Sequence, residues 1–63
     1  MELKQYYLKN VRVIASNGKD FVGLVDDYFY PEDNEREVES IVLKTKNSLI
    51  EFYEDDIAEI KTI

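Results

Sequence analysis

The 63-residue chain contains no cysteine, no histidine and no tryptophan. Without cysteine it can form no disulfide and present no thiolate. Without histidine it lacks the usual imidazole metal ligand and the side chain that most often transfers protons near neutral pH. These absences exclude nucleophilic sites built on Cys or on a Ser–His pair. We therefore expect a protein that is not an enzyme and that uses no cofactor and no metal.

Long apolar runs are missing as well. A membrane-spanning helix needs roughly 18 to 20 consecutive apolar residues, and the chain has no such run. The segment Met1-Glu2-Leu3-Lys4-Gln5 does not follow the basic-then-apolar order of a secretory signal. The sequence thus predicts a cytoplasmic protein with no membrane partner.

Positive charge is scarce and unevenly placed. Eight basic residues stand against 14 acidic ones, for a net charge of −6. Residues 1–19 are net positive and residues 20–63 are strongly negative. Nucleic-acid binders gain affinity from Lys and Arg that neutralise phosphates, so this balance favours a solvated acidic surface. The pair Asp26-Asp27 would point to opposite faces of a strand and would not converge on a metal.

What is present is enough apolar sequence for one small domain spanning residues 1–63. Apolar and aromatic residues make up 44% of the chain, and a chain of this length buries only ~60% of its unfolded surface. Leu3, Tyr6 and Tyr7 are spaced as one side of a short helix. Five β-rich segments follow, at Val11–Ala15, Asp20–Tyr30, Val38–Thr45, Ser48–Tyr53 and Ile57–Ile63.

Turn residues define how these segments connect. Asn17-Gly18 between the first two predicts a hairpin with a type I′ turn, in which both residues take a positive φ. Gly23, inside the long second segment, predicts a sharp bend. Glu54-Asp55-Asp56 predicts a single 3₁₀ turn before the last strand. Together these features predict a mainly β fold: a five-stranded, strongly bent antiparallel SH3-like barrel with a short amino-terminal helix.

Two stretches resemble the signatures of Sm and LSm domains. From Val11 to Tyr28, a hydrophobic strand, Gly18, Phe21, Gly23 and Val25 resemble the first signature. The stretch from Phe52 to Ile60 is similar to the second. The resemblance implies the Sm-like form of the barrel, and a different SH3-like barrel is the alternative. It also implies rings in which strand four of one subunit pairs with strand five of the next.

The resemblance also points to contact residues, with departures from the family. Phe29 stands where RNA-binding members carry an acidic residue, and Asn34 stands one place after the family's asparagine position. Tyr53-Glu54 replaces the family's Arg-Gly. Aromatic rings can stack on bases, and Tyr30 beside Pro31 is expected to be exposed. The candidate contact residues for a nucleic acid or a peptide are therefore Phe29, Tyr30, Asn34 and Tyr53.

Two functions follow as expectations. The first is an Sm-like, homo-oligomeric module that binds RNA or belongs to an RNA-associated assembly. The second is a non-catalytic protein-interaction module of SH3-like fold that binds no nucleic acid. Self-association through edge strands is expected in the first case, and single-stranded RNA and a protein both stay open as partners.

Overall fold

The computed structural model describes all 63 residues and contains one antiparallel sheet of five strands. The sheet order is β4-β3-β2-β1-β5, and none of its helical turns is long or apolar enough to cross a membrane. The mainly β, five-stranded antiparallel prediction is confirmed, with strand ends within two residues of the predicted ones. The predicted barrel is not closed, because β4 and β5 do not pair with each other and lie at opposite edges of the sheet. The strands are β1 (Asn10–Ala15), β2 (Asp20–Phe29), β3 (Ser40–Lys44), β4 (Leu49–Tyr53) and β5 (Ile57–Thr62). Three 3₁₀ turns lie at Leu3–Tyr6, Pro31–Asp33 and Glu54–Asp56.

The long strand β2 is shared between two partners. Residues 20–24 pair with β1, and residues 24–29 pair with β3. A register shift between Val25 and Asp27 leaves Asp26 without a partner on β3. Such a β-bulge bends the strand and increases its twist. The bulge of β2 therefore lies at Asp26, three residues after the predicted bend at Gly23.

Gly23 is needed for a different reason, which is close backbone approach. A Cβ atom at this position would lie 2.3 Å from the carbonyl oxygen of Lys44 and 3.2 Å from the Cα of Thr45. The end of β3 thus passes directly over the glycine. Glycine inside a strand commonly marks a site where another part of the backbone comes this close.

The β1–β2 hairpin is confirmed, but its turn type differs from the prediction. The Gly18 N–H donates to the Ala15 carbonyl at 2.9 Å, and the Ala15 N–H donates to the Lys19 carbonyl at 2.8 Å. Gly18 has a φ of 87°, whereas Asn17 has no positive φ. The loop therefore needs one left-handed residue instead of the two of a type I′ turn. Asn17 contributes through its side chain, because its Oδ1 accepts from the Lys19 N–H at 3.0 Å.

The predicted amino-terminal helix is a single 3₁₀ turn. Leu3 is fully buried, and its N–H donates to Glu39 Oε1 at 2.7 Å. Glu2, at the N-cap position, makes no side-chain hydrogen bond to the turn, and a helix of one turn is marginal unless packing supports it. Leu8 then takes a φ of 61° and donates its N–H to the Val25 carbonyl at 2.8 Å. This contact ends the turn and directs the chain into β1.

The core lies on one face of the curved sheet. Its buried side chains alternate along β1 and β3, as expected for strands with one buried face. The buried polar residue is Ser40, on the other face of β3. Its hydroxyl donates to Glu51 Oε2 at 2.8 Å and accepts from Asn34 Nδ2 at 3.1 Å. The nine core residues are Leu3, Val11, Val13, Ala15, Val25, Ile41, Leu43, Phe52 and Ile57.

The close approach at Gly23 generates a stability prediction. Gly23→Ala forces the new methyl group into the Lys44 carbonyl, so we expect a loss of about 1 to 3 kcal/mol in the free energy of unfolding. Gly18→Ala is the matched control, since no atom lies within 4 Å of a Cβ there and only its φ is unfavourable. Denaturant unfolding of both variants measures how much each substitution lowers the free energy of unfolding. Wild-type stability in Gly23→Ala would contradict the close approach.

Candidate functional site

Strand β4 forms one edge of the sheet and leaves backbone groups unpaired. The Glu54 N–H donates to the Glu39 carbonyl at 2.9 Å, and the Thr45 N–H donates to the Ser48 carbonyl at 2.8 Å. Hydrogen-bonded pairs alternate along an antiparallel ladder. From this register, the three β4 residues whose backbone N–H and C=O groups point away from β3 are Leu49, Glu51 and Tyr53. These groups can pair with another strand.

Strand β5 forms the opposite edge. The Ile63 N–H donates to the Asn10 carbonyl at 3.1 Å, so the alternation directs the backbone groups of Ile60 and Thr62 away from β1. The prediction that β4 and β5 are the two edges is confirmed. An exposed apolar side chain lies at each edge: Leu49, at the start of β4, is 64% exposed, and Ile63, directly after β5, is 63% exposed.

The two halves of the β5 edge differ in how regularly they pair with β1. A register shift between Ile14 and Ala15 leaves Ala58 unpaired near the start of the strand. Bulges of this kind hinder pairing at an exposed edge. Beyond it, Ile60 to Thr62 follow a regular ladder with β1. The accessible part of the β5 edge is therefore the second half of the strand.

Three of the four predicted contact residues converge on Ser40. Phe29 and Tyr53 are the direct neighbours of Ser40 on the two flanking strands. The side-chain amide of Asn34 donates to the Val38 carbonyl at 2.8 Å and to the Ser40 hydroxyl at 3.1 Å. Asn34 thus fastens the β2–β3 connection onto the sheet, and its amide is engaged within the chain.

The ring of Tyr53 is covered by an arginine that the sequence did not single out. The Arg36 guanidinium lies 4.4 Å from the centroid of that ring. Arg36 Nη1 also contacts Asp56 Oδ2 at 2.9 Å and Asp55 Oδ1 at 3.5 Å. Arg36 is far from these partners in the sequence, so no local pattern could have indicated the contact. A base or peptide that stacks on this face of Tyr53 must displace Arg36.

Tyr30 lies apart from this group, in a separate surface depression. It is 47% exposed, as predicted, and its ring lies 5.2 Å from that of Tyr28 at an interplanar angle of 82°. With Lys4, Tyr7 and Asp27 these two rings line a depression of about 200 Å³, which we call the tyrosine hollow. The sequence drew attention to Tyr30 but not to Lys4 or Tyr7, because the turn at Leu3–Tyr6 brings them to β2 only in the folded chain.

Charged side chains elsewhere are largely paired or dispersed. Asp26 and Asp27 line different depressions, so they do not converge, as predicted. Arg12 forms an ion pair with Asp20, and Lys61 lies 3.6 Å from Glu59. With Arg36 and Lys4 also engaged, half of the eight basic side chains have partners within the chain.

Comparison with known proteins adds no further assignment. No protein-family model, curated protein or solved structure matches this chain. The functional argument therefore depends on two surfaces, the sheet edges and the tyrosine hollow.

The titration of Tyr28 is a direct test of how this residue is packed. Burial against the core raises the pKa of Tyr28 to about 12, and the negative charge of Glu39 acts in the same direction. Between the ordinary value of 10.0 and about 12, the unfolded chain loses this proton while the folded chain keeps it. The free energy of unfolding should therefore fall as the pH rises through that window.

Tyrosinate absorbance followed against pH measures the effect. The wild type should show a late phase near pH 12, and Tyr28→Phe should lack it. The same late phase in both proteins would contradict the packing assigned to Tyr28.

Proposed function

We propose that the chain is a non-catalytic assembly module of Sm-like architecture, whose copies associate by pairing β4 of one with β5 of the next. The observation that carries the proposal is the sheet order. It places these two strands at opposite edges, where each is paired on its inner side only. A strand edge is a template for another strand, and this small domain has two complementary ones.

The geometry of the two edges supports head-to-tail association. Each copy offers one β4 edge and one β5 edge, so every junction is the same and every copy takes part in two. Such heterologous contacts close into a ring when the rotation between copies permits it, and otherwise extend as a filament. The Sm-like assignment, with its bent β2 and the 3₁₀ turn before β5, favours the ring.

Side chains at the edges support the same proposal. Leu49 and Ile63 are among the most exposed large apolar residues of the chain, and pairing between copies would remove them from water. Charge does little to block the junction, because Lys61 is partnered by Glu59 on its own strand. The bulge at Ala58 restricts pairing to the second half of β5, which favours one register.

A protein assembly is favoured over an RNA-binding one by the contacts of the predicted site residues. Asn34 uses its amide to hold Ser40, and Arg36 covers Tyr53 while bound to Asp55 and Asp56. The net charge of −6 opposes phosphate binding. Weak or absent binding of short single-stranded RNA, even at low salt, is the expected result.

The absolute mass in solution tests the assembly. Light scattering over a range of concentrations should give a multiple of 7.5 kDa that exceeds a dimer. A monomer at all concentrations would contradict edge pairing.

Two proline variants identify the edges involved. Leu49→Pro removes an outward N–H from β4, and Thr62→Pro removes one from β5, while neither N–H serves the ladder within the chain. Each variant alone should be monomeric, with thermal unfolding confirming that it folds. Mixed together they should form a dimer, because one retains an intact β5 and the other an intact β4. Monomers in the mixture, or large assemblies of either variant alone, would refute the β4–β5 junction.

A further inference from the structure

The tyrosine hollow lies outside the edges used in the proposed assembly. Two of its five lining residues come from the amino-terminal segment, two from the second half of β2, and the fifth, Tyr30, directly follows that strand. The two segments are tied together by backbone hydrogen bonds, from the Leu8 N–H to the Val25 carbonyl at 2.8 Å and from the Val25 N–H to the Lys9 carbonyl at 2.9 Å. The hollow therefore forms within a single copy of the chain.

Aromatic rings supply most of its walls. Tyr28 and Tyr30 stand nearly perpendicular to each other, with centroids 5.2 Å apart. Tyr7 adds a third ring and is 45% exposed. The faces of such rings carry negative electrostatic potential and attract cations that lie within about 6 Å of the centroid.

The chain already places one ammonium group against these rings. Lys4 Nζ lies 5.1 Å from the centroid of the Tyr30 ring and donates to its hydroxyl at 2.9 Å. This hydrogen bond raises the pKa of Lys4, so the group stays charged. The contact places an ammonium group at the hydroxyl end of the Tyr30 ring, among the residues that line the hollow.

Negative charge also lies close to the rings. Asp27 lines the hollow, and one of its carboxylate oxygens is fixed by the Tyr28 N–H at 2.8 Å. No ion pair engages Asp27, since every ion pair of the chain involves other acids. The charges of Glu39 and Glu32 lie close enough to Tyr28 to raise its pKa. Lys4 alone does not balance these three acids.

We propose that the tyrosine hollow binds the quaternary ammonium group of a small ligand. Three rings and an unpaired carboxylate provide the cation–π and Coulomb attraction that such a group requires. Lys4 acts as an internal competitor, because its own ammonium uses the Tyr30 ring. Each copy of the chain would then carry a cation-binding site in addition to the two edges proposed for assembly.

Choline is a suitable probe, and 3,3-dimethyl-1-butanol is its neutral isostere. Titration of the isotope-labelled protein, followed by NMR, should give saturable shifts for the signals of Tyr7, Asp27, Tyr28 and Tyr30 with choline. We expect the neutral alcohol to bind at least about fivefold more weakly, in line with the strength of cation–π contacts. Equal binding of the two would refute a cation site and indicate a merely apolar depression. The absence of saturable shifts with choline would refute the proposal as well.

Matched variants locate the site. Tyr30→Leu keeps an apolar side chain but removes the aromatic face, and should weaken choline binding about two- to fivefold. Asp27→Asn keeps the acceptor for the Tyr28 N–H and removes only the charge, so a severalfold loss is expected. Lys4→Gln removes the internal competitor and should strengthen binding. Tyr53→Leu makes the same kind of change outside the hollow and should have no effect.

Several outcomes would overturn the assignment. They are unchanged affinity in Tyr30→Leu, weaker binding in Lys4→Gln, or a loss in Tyr53→Leu as large as that in Tyr30→Leu. The titrations can also be made on the Leu49→Pro variant. Leu49 does not line the hollow. Choline binding by a monomeric Leu49→Pro would therefore support the cation site even if edge pairing were disproved.

Discussion

The division of β2 between two partners is the constraint on which the rest of the structure depends. Its first half pairs with β1 and its second half with β3, so one strand connects both parts of the sheet. The strand changes partners at Leu24, the bulge at Asp26 follows within the pairing with β3, and Gly23 lets the end of β3 pass over it. Because the sheet turns at β2, the apolar faces of the outer strands enclose a single core around Val25. The same turn leaves β4 and β5 as opposite edges.

A second set of contacts organises the face of the sheet that lies away from the core. Ser40 is buried there by the β2–β3 connection and is bonded to Asn34 and Glu51. Arg36, from the same connection, covers Tyr53 and reaches the acidic turn before β5. A polar loop is thus fixed by hydrogen bonds, by ion pairs and by the stacking of Arg36 on Tyr53. Asn34, the predicted contact residue in this connection, therefore uses its side chain to stabilise the fold.

The sequence was informative where the signal is local. The β-rich segments located all five strands, and Glu54-Asp55-Asp56 was correctly predicted as a single 3₁₀ turn before the last strand. Asn17-Gly18 located the hairpin, but not that Gly18 alone would take a positive φ. Both patterns concern neighbours in the chain, whose geometry the side chains largely determine.

Features that depend on distant contacts were not predictable. The extra residue of β2 lies at Asp26 because of the register with β3, which no local pattern encodes. The stacking of Arg36 on Tyr53 and the approach of Lys4 to Tyr30 join segments that are far apart in the chain. The tyrosine hollow is visible only once these segments have met. Most of the fold could therefore be read from the sequence, but only one wall of the hollow, Tyr30, was among the predicted contact residues.

The order of the strands also has a consequence for how the chain folds. From β1 to β4, every strand lies beside its neighbour in sequence, so this part can form through short-range contacts as a meander. The β5 strand instead crosses to the far side of β1, where Lys61 pairs with Arg12. Closing so long a loop costs more entropy than forming any hairpin of the meander. During synthesis, the outer backbone groups of β1 therefore stay unpaired until β5 has left the ribosome.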